Sequence, residues 1–538
     1  MCLINSSWAM YIIFHKIMVE LLHDHSSSPI KSETQFRNIM ISPVIVHQLP
    51  VGALSGRRSF NYSSGYFFIR HFRICLIAVL MIAAFNAFFR LESTNVCPSD
   101  EARYGVSAYE MLEKKDFIVT TYAGEREYWN LKPPMGYWFI SASFYFFGPT
   151  VFALRLPSAL AFIFCVWLTM LFVKGHYGRR QAILAGLILS SASGLLSNHG
   201  ARSGDLDGIL TCILTLVLFQ VAHSNRSFWP AFLVAFCFGA GFLIKSFAII
   251  PQLAALLVWV IWCGTWRNAS WWKIAGSLLI LSAMIVWWVL ARYQADHSHA
   301  FVLQMIKEDL FDRSTKPIDG NNPDWYYYVG QILDRFAPWS ELVLLATLLL
   351  VSSMSATRTW LLGTTNRLLL LWIAVPFILF TCSQTKHHWY MDPLYPPLAA
   401  LSAIIIIELL CRLKKWRSGS LFFLFALVVA CEFRVMYRIV DRERRPPAQE
   451  FLASLHKWKT NDNASIHTLC RIYHAEQFIL QVVNKFTIQR VDPVQKTLSL
   501  LPGSLLLIEN DLAPLPPVLE HGGVILDEGA GYTLMRAL

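Results

Sequence analysis

Residues 229–263, WPAFLVAFCFGAGFLIKSFAIIPQLAALLVWVIWC, carry a single charged side chain, Lys245. A membrane-spanning helix needs about 20 mostly apolar residues. The stretch therefore reads as two spans, near 229–244 and 247–263, joined by a turn at the lysine. An ionisable group between two spans is costly to keep near lipid, so it is a functional candidate.

Comparable apolar runs lie near 72–89, 151–172, 182–198, 207–222, 274–291, 340–356, 366–382, 393–411 and 419–436. Together they predict an all-α polytopic membrane protein of about 11 to 13 spans. The composition agrees: of 538 residues 55% are hydrophobic and only 15% charged, with a mean hydropathy of +0.44. Soluble domains carry about 25% charge. The net charge of +11 sits in short clusters between apolar runs, which is the pattern of membrane topology and argues against nucleic-acid binding.

Topology follows from those clusters. Residues 136–148, GYWFISASFYFFG, form a short aromatic run that suits an interfacial helix better than a span. With that run kept out of the count, the basic segments at 174–180, 226, 267–273, 358–367 and 412–417 all fall on one side, which is then cytoplasmic. The opposite side receives loops 91–135 and 292–338, the turns near 199–206, 245 and 383–392, and the tail from 437. That tail alternates strand-like runs (465–472, 505–509, 524–527, 532–535) with a helical stretch at 448–458. It predicts a small C-terminal α/β extramembrane domain, 437–538, bounded by Arg444, Arg445, Pro446 and Pro447. Residues 71–436 form the membrane domain, and 1–70 a polar, Ser-containing N-terminal extension with no assigned function. Most cysteines sit in apolar runs as small hydrophobes; for Cys97 and Cys470, on the outer side, two free thiols is the simpler reading.

Five outer motifs carry candidate chemistry. PSDEARYGVSAYEML (98–112) follows the first span and places Asp100 and Glu101 at a helix start beside Arg103 and Tyr104. A capped amphipathic helix explains that pattern locally; a carboxylate beside a bilayer-embedded substrate can also act as a general base. WNLKPPMGYW (129–138) uses two prolines to present Lys132, as a charge for phosphate or as a headgroup anchor. ARSGDLDGIL (201–210) holds Arg202, Asp205 and Asp207 at a helix start, where capping competes with function. FLIKSFAIIP (242–251) holds Lys245, and SQTKHHWYMDPLYPPLAAL (383–401) holds Lys386 and Tyr390 at the entrance of a span. His387 and His388 are adjacent, a poor arrangement for chelating one metal. The loop 321–339 adds Asp324 among interfacial aromatics.

The ordered set SDEARYGVSAYEML, LKPPMGYWFI, FALRLPSAL, ARSGDLDGIL, LIKSFAIIP and KHHWYMDPLYPPLAAL resembles the GT-C membrane glycosyltransferases of the protein-O-mannosyltransferase and lipid A aminoarabinose transferase type, over roughly residues 72–440. The resemblance implies the GT-C fold and transfer of a sugar from a polyprenyl-phosphate donor to a lipid A, glycan or protein acceptor. That transfer would occur on the periplasmic face of a bacterial inner membrane. It puts the family's loop aspartate on Asp100 with Glu101 beside it, its KPP lysine on Lys132 and its next aspartate on Asp207. The Lys–Tyr–Pro turn falls on Lys386, Tyr390 and Pro393. Arg155, Arg202 and Lys245 join the expected phosphate-binding set. Leu131 stands where aminoarabinose transferases usually carry an acidic residue, so the resemblance does not extend to the sugar. No cofactor is required by this chemistry, and a divalent metal is left open. The competing expectation is a transporter or lipid-linked sugar flippase, against which stand the absence of an evident internal repeat and the clustering of ionisable groups at one surface.

Overall fold

The structure, a computed structural model, describes residues 71–223, 229–268, 270–318, 323–351, 363–413, 417–442, 444–460, 464–491, 497–498, 500–511, 518–519 and 522–538. The chain divides into an N-terminal unit, Met1–Cys75, and a second unit, Leu76–Leu538. The expected N-terminal extension lies outside the described residues.

The membrane-type helices come where apolar runs are uninterrupted. Six helices among the described residues are long and apolar enough to cross a membrane: Val151–His176, Pro230–Cys263, Trp271–Asp296, Thr364–Cys382, His388–Arg412 and Gly419–Val440. Phe72–Phe88, Asp207–His223 and Trp339–Leu349 are apolar but shorter. The Trp271–Asp296 window is only 6% buried by protein although strongly apolar, as expected for a helix whose surroundings are lipid.

Two expectations about these runs change, and the expected break at Lys245 is present. The span expected at 182–198 ends at Ser190, because helix Arg179–Ser190 runs into a Ser/Gly-rich stretch. Ser190 and Ser191 turn their hydroxyls back onto the Leu187 carbonyl, an alternative to continuing the helix. The run 230–263 is broken at Lys245 by the short 3-10 turn Ser246–Ile249, with Pro251 opening the next helix. Loop 292–338 is largely helical, with Ala300–Met305, a wider π turn Ile306–Asp312 and Tyr327–Arg335. The 136–148 run forms helix Met135–Phe147 of 13 residues, about 20 Å long at 1.5 Å per residue and short of the bilayer core.

The first outer loop begins with α1 (Asp100–Lys114). Against it packs the C-terminal α/β region. This region carries five strands, β1 (Ser465–Leu469), β2 (Thr487–Arg490), β3 (Leu505–Glu509), β4 (Gly523–Gly529) and β5 (Tyr532–Ala537), in a mixed sheet ordered β2-β1-β3-β5-β4. β1 pairs parallel with β2 and β3, while β5 pairs antiparallel with β3 and β4. The edge strand β2 is not among the expected strand-like runs, since TIQR has no clear alternation of buried and exposed residues. The helical link His474–Val483 lies on α1, close enough that a Cβ on Gly105 would meet Phe478 at 2.5 Å. Gln449 closes the junction by exchanging two bonds with the Val96 backbone, at 3.0 and 2.9 Å.

Candidate active site

Asp100 and Glu101 are neighbours with opposite surroundings. Glu101 is 1% exposed. It receives Arg155 Nε at 2.6 Å and Nη2 at 3.0 Å, the Cys97 N–H at 2.8 Å and the Gly204 N–H at 2.9 Å. Arg155 also donates to the carbonyls of Leu91 and Asn95. This buried pair ties the end of the first span to the 204 loop, a bracing contact at the two residues expected in catalysis and at the phosphate. Asp100 keeps a quarter of its side chain exposed and meets Arg103 Nη1 at 3.3 Å.

Arg103 lies 5.2 Å over the Trp129 ring, and that ring stacks on His474 from the C-terminal region with centroids 5.7 Å apart. His474 Nδ1 in turn pairs with Tyr122 OH at 2.7 Å. Burial holds His474 down, to about 4, so the imidazole is neutral at physiological pH. Tyr104, expected at the substrate, is fully buried with its ring edge-on to Tyr137 at 5.6 Å.

The 191–206 stretch folds into a tight buried loop. Gly200 is required there: a Cβ would fall 2.1 Å from the Leu195 carbonyl oxygen. The loop presents His199 at φ 70°, stacked on Trp389 at 3.7 Å. Its Nδ1 sits 3.3 Å from Asp205 and 3.7 Å from Asp207. Burial alone would disfavour the charged imidazole, but the neighbouring Asp205 and Asp207 carboxylates outweigh it and lift His199 well above its ordinary range. Arg202, expected at a phosphate, is 4% exposed and donates to the carbonyls of Asn86, Ala87 and Phe89, capping the end of the first helix.

Asp207 opens its helix and pairs with Lys245 at the end of the neighbouring one. One residue on, Ser246 donates to Asp309 at 2.8 Å, and Asp309 also takes Lys132 Nζ at 2.8 Å and Arg313 Nε at 3.0 Å. Arg313 reaches Tyr390 OH at 3.4 Å. Burial pushes Asp309 up, but Lys132 and Arg313 outweigh it and hold the carboxyl below its usual range. Burial pulls Lys132 down despite Asp309. A single connected set therefore runs from Asp100 through His199, Asp205, Asp207 and Lys245 to Asp309, Lys132, Arg313 and Tyr390.

Two expected residues lie elsewhere in their contacts. Lys386 is buried near the Pro323 carbonyl at 3.4 Å, and Asp324 is an exposed loop carboxylate bonded to Tyr326 OH at 2.6 Å. The residues that sequence reasoning missed are His199, Asp309, Arg313 and Glu127. Glu127 is fully buried against Ser107 at 3.1 Å, and burial pushes it up to about 8. The Asp309–Arg313 spacing of four, in a part of loop 292–338 that carries none of the quoted motifs, is the available signal.

The ligand atoms of Asp100, His199 and Asp205 lie within 4.8 Å of one another, so these three could hold a divalent cation. A protonated His199 fills the same electrostatic role. Chelation with EDTA is therefore expected to leave activity within about two-fold, since an imidazolium repels a second cation. An activity abolished by EDTA and restored by Mn²⁺ would instead put a metal among the three.

The Dolichyl-phosphate-mannose-protein mannosyltransferase family model matches residues 131–289, which include Lys132, Asp207 and Lys245. An uncharacterized protein of Aquifex aeolicus (strain VF5) is 27% identical over 369 residues, 67% of this chain and 68% of that one. The undecaprenyl phosphate-alpha-4-amino-4-deoxy-L-arabinose arabinosyl transferase of Pectobacterium carotovorum subsp. carotovorum (strain PC1) is 30% identical over 358 residues, 62% of this chain and 60% of the relative. The Pseudomonas aeruginosa (strain LESB58) enzyme of the same name is 26% identical over 363 residues, covering 64% and 61%. The match thus spans less than two thirds of these arabinosyl transferases. The fold is that of ArnT from Cupriavidus metallidurans, solved bound to undecaprenyl phosphate: TM-score 0.67 at 15% identity, over 88% of this chain and 98% of that one.

Proposed function

We propose that this chain, whose residues 131–289 match the protein mannosyltransferase family model and whose fold is that of ArnT, is a GT-C-type glycosyltransferase that transfers a sugar from a polyprenyl-phosphate donor to a hydroxyl- or phosphate-bearing acceptor, with inversion at the anomeric carbon. The reaction takes place on the periplasmic face of a bacterial inner membrane. The observation that carries this reading is the cluster in which Asp100 stands at one end and Lys132, Lys245 and Arg313 at the other.

A polyprenyl phosphate leaves as an anion and needs no general acid. The acceptor oxygen attacks the anomeric carbon as the bond to the phosphate oxygen breaks, and the acceptor proton passes to Asp100. Charge then grows on the departing phosphate, where Lys132, Lys245 and Arg313 stabilise it more than they stabilise the ground state. Each of these cations is held by a carboxylate, which keeps it in place when no phosphate is bound. Lys132 bonds Asp309 with one of an ammonium's three donors, so it can add a phosphoryl oxygen without losing its support. His199, between Asp205 and Asp207, balances the carboxylates beside Asp100.

The test is transfer from an isotope-labelled prenyl-phosphate sugar in proteoliposomes containing candidate acceptors. Lys132→Ala is expected to lower kcat/KM by about 10²–10³, the usual cost of one transition-state charge contact, and Lys132→Arg to recover part of the loss. Movement of labelled donor across the bilayer with no glycosyl product would replace the transferase with a flippase.

A further inference from the structure

α1 carries Asp100 and Arg103 on its first turn, but what holds Arg103 in place comes from other segments. Arg103 meets Asp100 Oδ1 at 3.3 Å and lies 5.2 Å over the Trp129 ring. Its Nε is buried and has no hydrogen-bond partner among the described residues. An ion pair at the surface leaves a long side chain mobile, so the ring face decides where the guanidinium rests. Trp129 in turn is flanked by two rings. His474 stacks on it with centroids 5.7 Å apart and planes 23° apart, and Tyr122 meets it edge-on at 5.4 Å. Tyr122 OH and His474 Nδ1 are 2.7 Å apart, which fixes those two rings to each other.

Glu110, further along α1, ties both ring-bearing segments to the helix. Its Oε1 accepts from Gln481 Nε2 at 2.8 Å and from the Gly124 N–H at 2.9 Å. The stack is thus anchored on α1 at both ends, at Glu110 and at Arg103. His474 is neutral at physiological pH, and a neutral imidazole stacks on Trp129 without repelling the nearby guanidinium. We propose that His474, from the C-terminal α/β region, is a positioning residue for sugar transfer. With Tyr122 it fixes Trp129, Trp129 fixes Arg103, and Arg103 holds Asp100 by Oδ1 so that Oδ2 is left to take the acceptor proton. The proposal rests on the reading of Asp100 as the group that receives that proton. A base held by one oxygen keeps the other in register with the attacking hydroxyl, and a displacement of about 1 Å in such a group costs up to about 10²-fold in rate.

The experiment measures sugar transfer by the full chain in proteoliposomes, with the unfolding midpoint read on the same preparation. Trp129→Leu, which keeps apolar bulk and removes the π face, is expected to lower kcat about ten-fold or more while the donor KM stays within about two-fold. Trp129→Phe, which keeps a face, should recover most of that loss. His474→Ala should act like Trp129→Leu, and in an Arg103→Gln background neither should lower kcat further, because both act through the guanidinium. Unchanged kcat in His474→Ala would overturn the proposal. So would an equal loss from His474→Ala in the Arg103→Gln background, which would make the stack an element of the fold only. The unfolding midpoints supply a second cycle that needs no activity, in which Arg103→Gln and Trp129→Leu should be non-additive. A parent chain that transfers no sugar, with that non-additivity intact, would refute the transferase and the positioning role with it. Normal turnover of Trp129→Leu in a chain that Asp100→Asn inactivates would refute the positioning role alone, which separates the two failures.

Discussion

Asp100→Asn is expected to lower the turnover of sugar transfer by about two orders of magnitude or more, the range of a lost acid–base group, and to leave thermal stability within a degree or two of the parent. The amide keeps the shape of the side chain and removes its ability to accept a proton. Its cost to folding is small because Asp100 is part-exposed, and its described ion pair, with Arg103 at 3.3 Å, is of the surface kind. Such pairs contribute about 0–1 kcal/mol. Nor does the helix depend on it for capping, since Asp100 is its first residue and the preceding Ser99 makes no side-chain cap bond. Initial rates at saturating donor, with the unfolding midpoint measured on the same preparation, decide the matter. Near-normal turnover would reduce Asp100 to a partner of Arg103.

Glu101→Ala, one residue along, is expected to act in the opposite sense: the fold fails before the chemistry can be measured. Removing this carboxylate strands Arg155, 1% exposed, and withdraws the acceptor of the Cys97 and Gly204 N–H groups. Breaking a buried pair from one side costs about 3–5 kcal/mol, a large share of the roughly 5–15 kcal/mol by which proteins are stable. The readout is the unfolding midpoint and the yield of monodisperse protein in detergent. Glu101→Gln, which keeps the shape and part of the bonding, should fall between the two. A Glu101→Ala protein as stable as the parent would remove the bracing role and return Glu101 to the list of catalytic candidates.

The contrast between these neighbours marks the limit of what the motif could say. In SDEARYG the two acids are equivalent. Burial separates them, and burial here is set by Arg155 fifty-four residues away and by the 204 loop. The same holds for the arginines expected at phosphate. Arg155 and Arg202 occur in the right motifs, yet Arg155 is turned inward onto Glu101 and the loop carbonyls of Leu91 and Asn95, and Arg202 onto carbonyls at the end of the first helix. Arg313, outside every motif, instead joins the Asp309–Lys132 set.

Hydrophobic periodicity and length were enough for the membrane class, for the α/β character of the tail and for most span positions, because lipid forces backbone bonding into helices regardless of what packs beside them. They misjudged the 182–198 run, where hydropathy continues past Ser190 but the serines bond their own backbone. Charge placement read from the loops drew Asp100, Lys132, Asp207 and Lys245 to one side.

What the sequence determined by itself was this local chemistry: which segments are apolar enough to enter a bilayer, and which charged residues interrupt or flank them. The tertiary structure alone decided which of those charges meet. Asp309, His199 and Arg313 enter the cluster, and His474 reaches Trp129, through contacts between segments far apart in the chain. Periodicity reports on one helix or strand at a time, whereas the partner of a buried charge is fixed by how those elements pack.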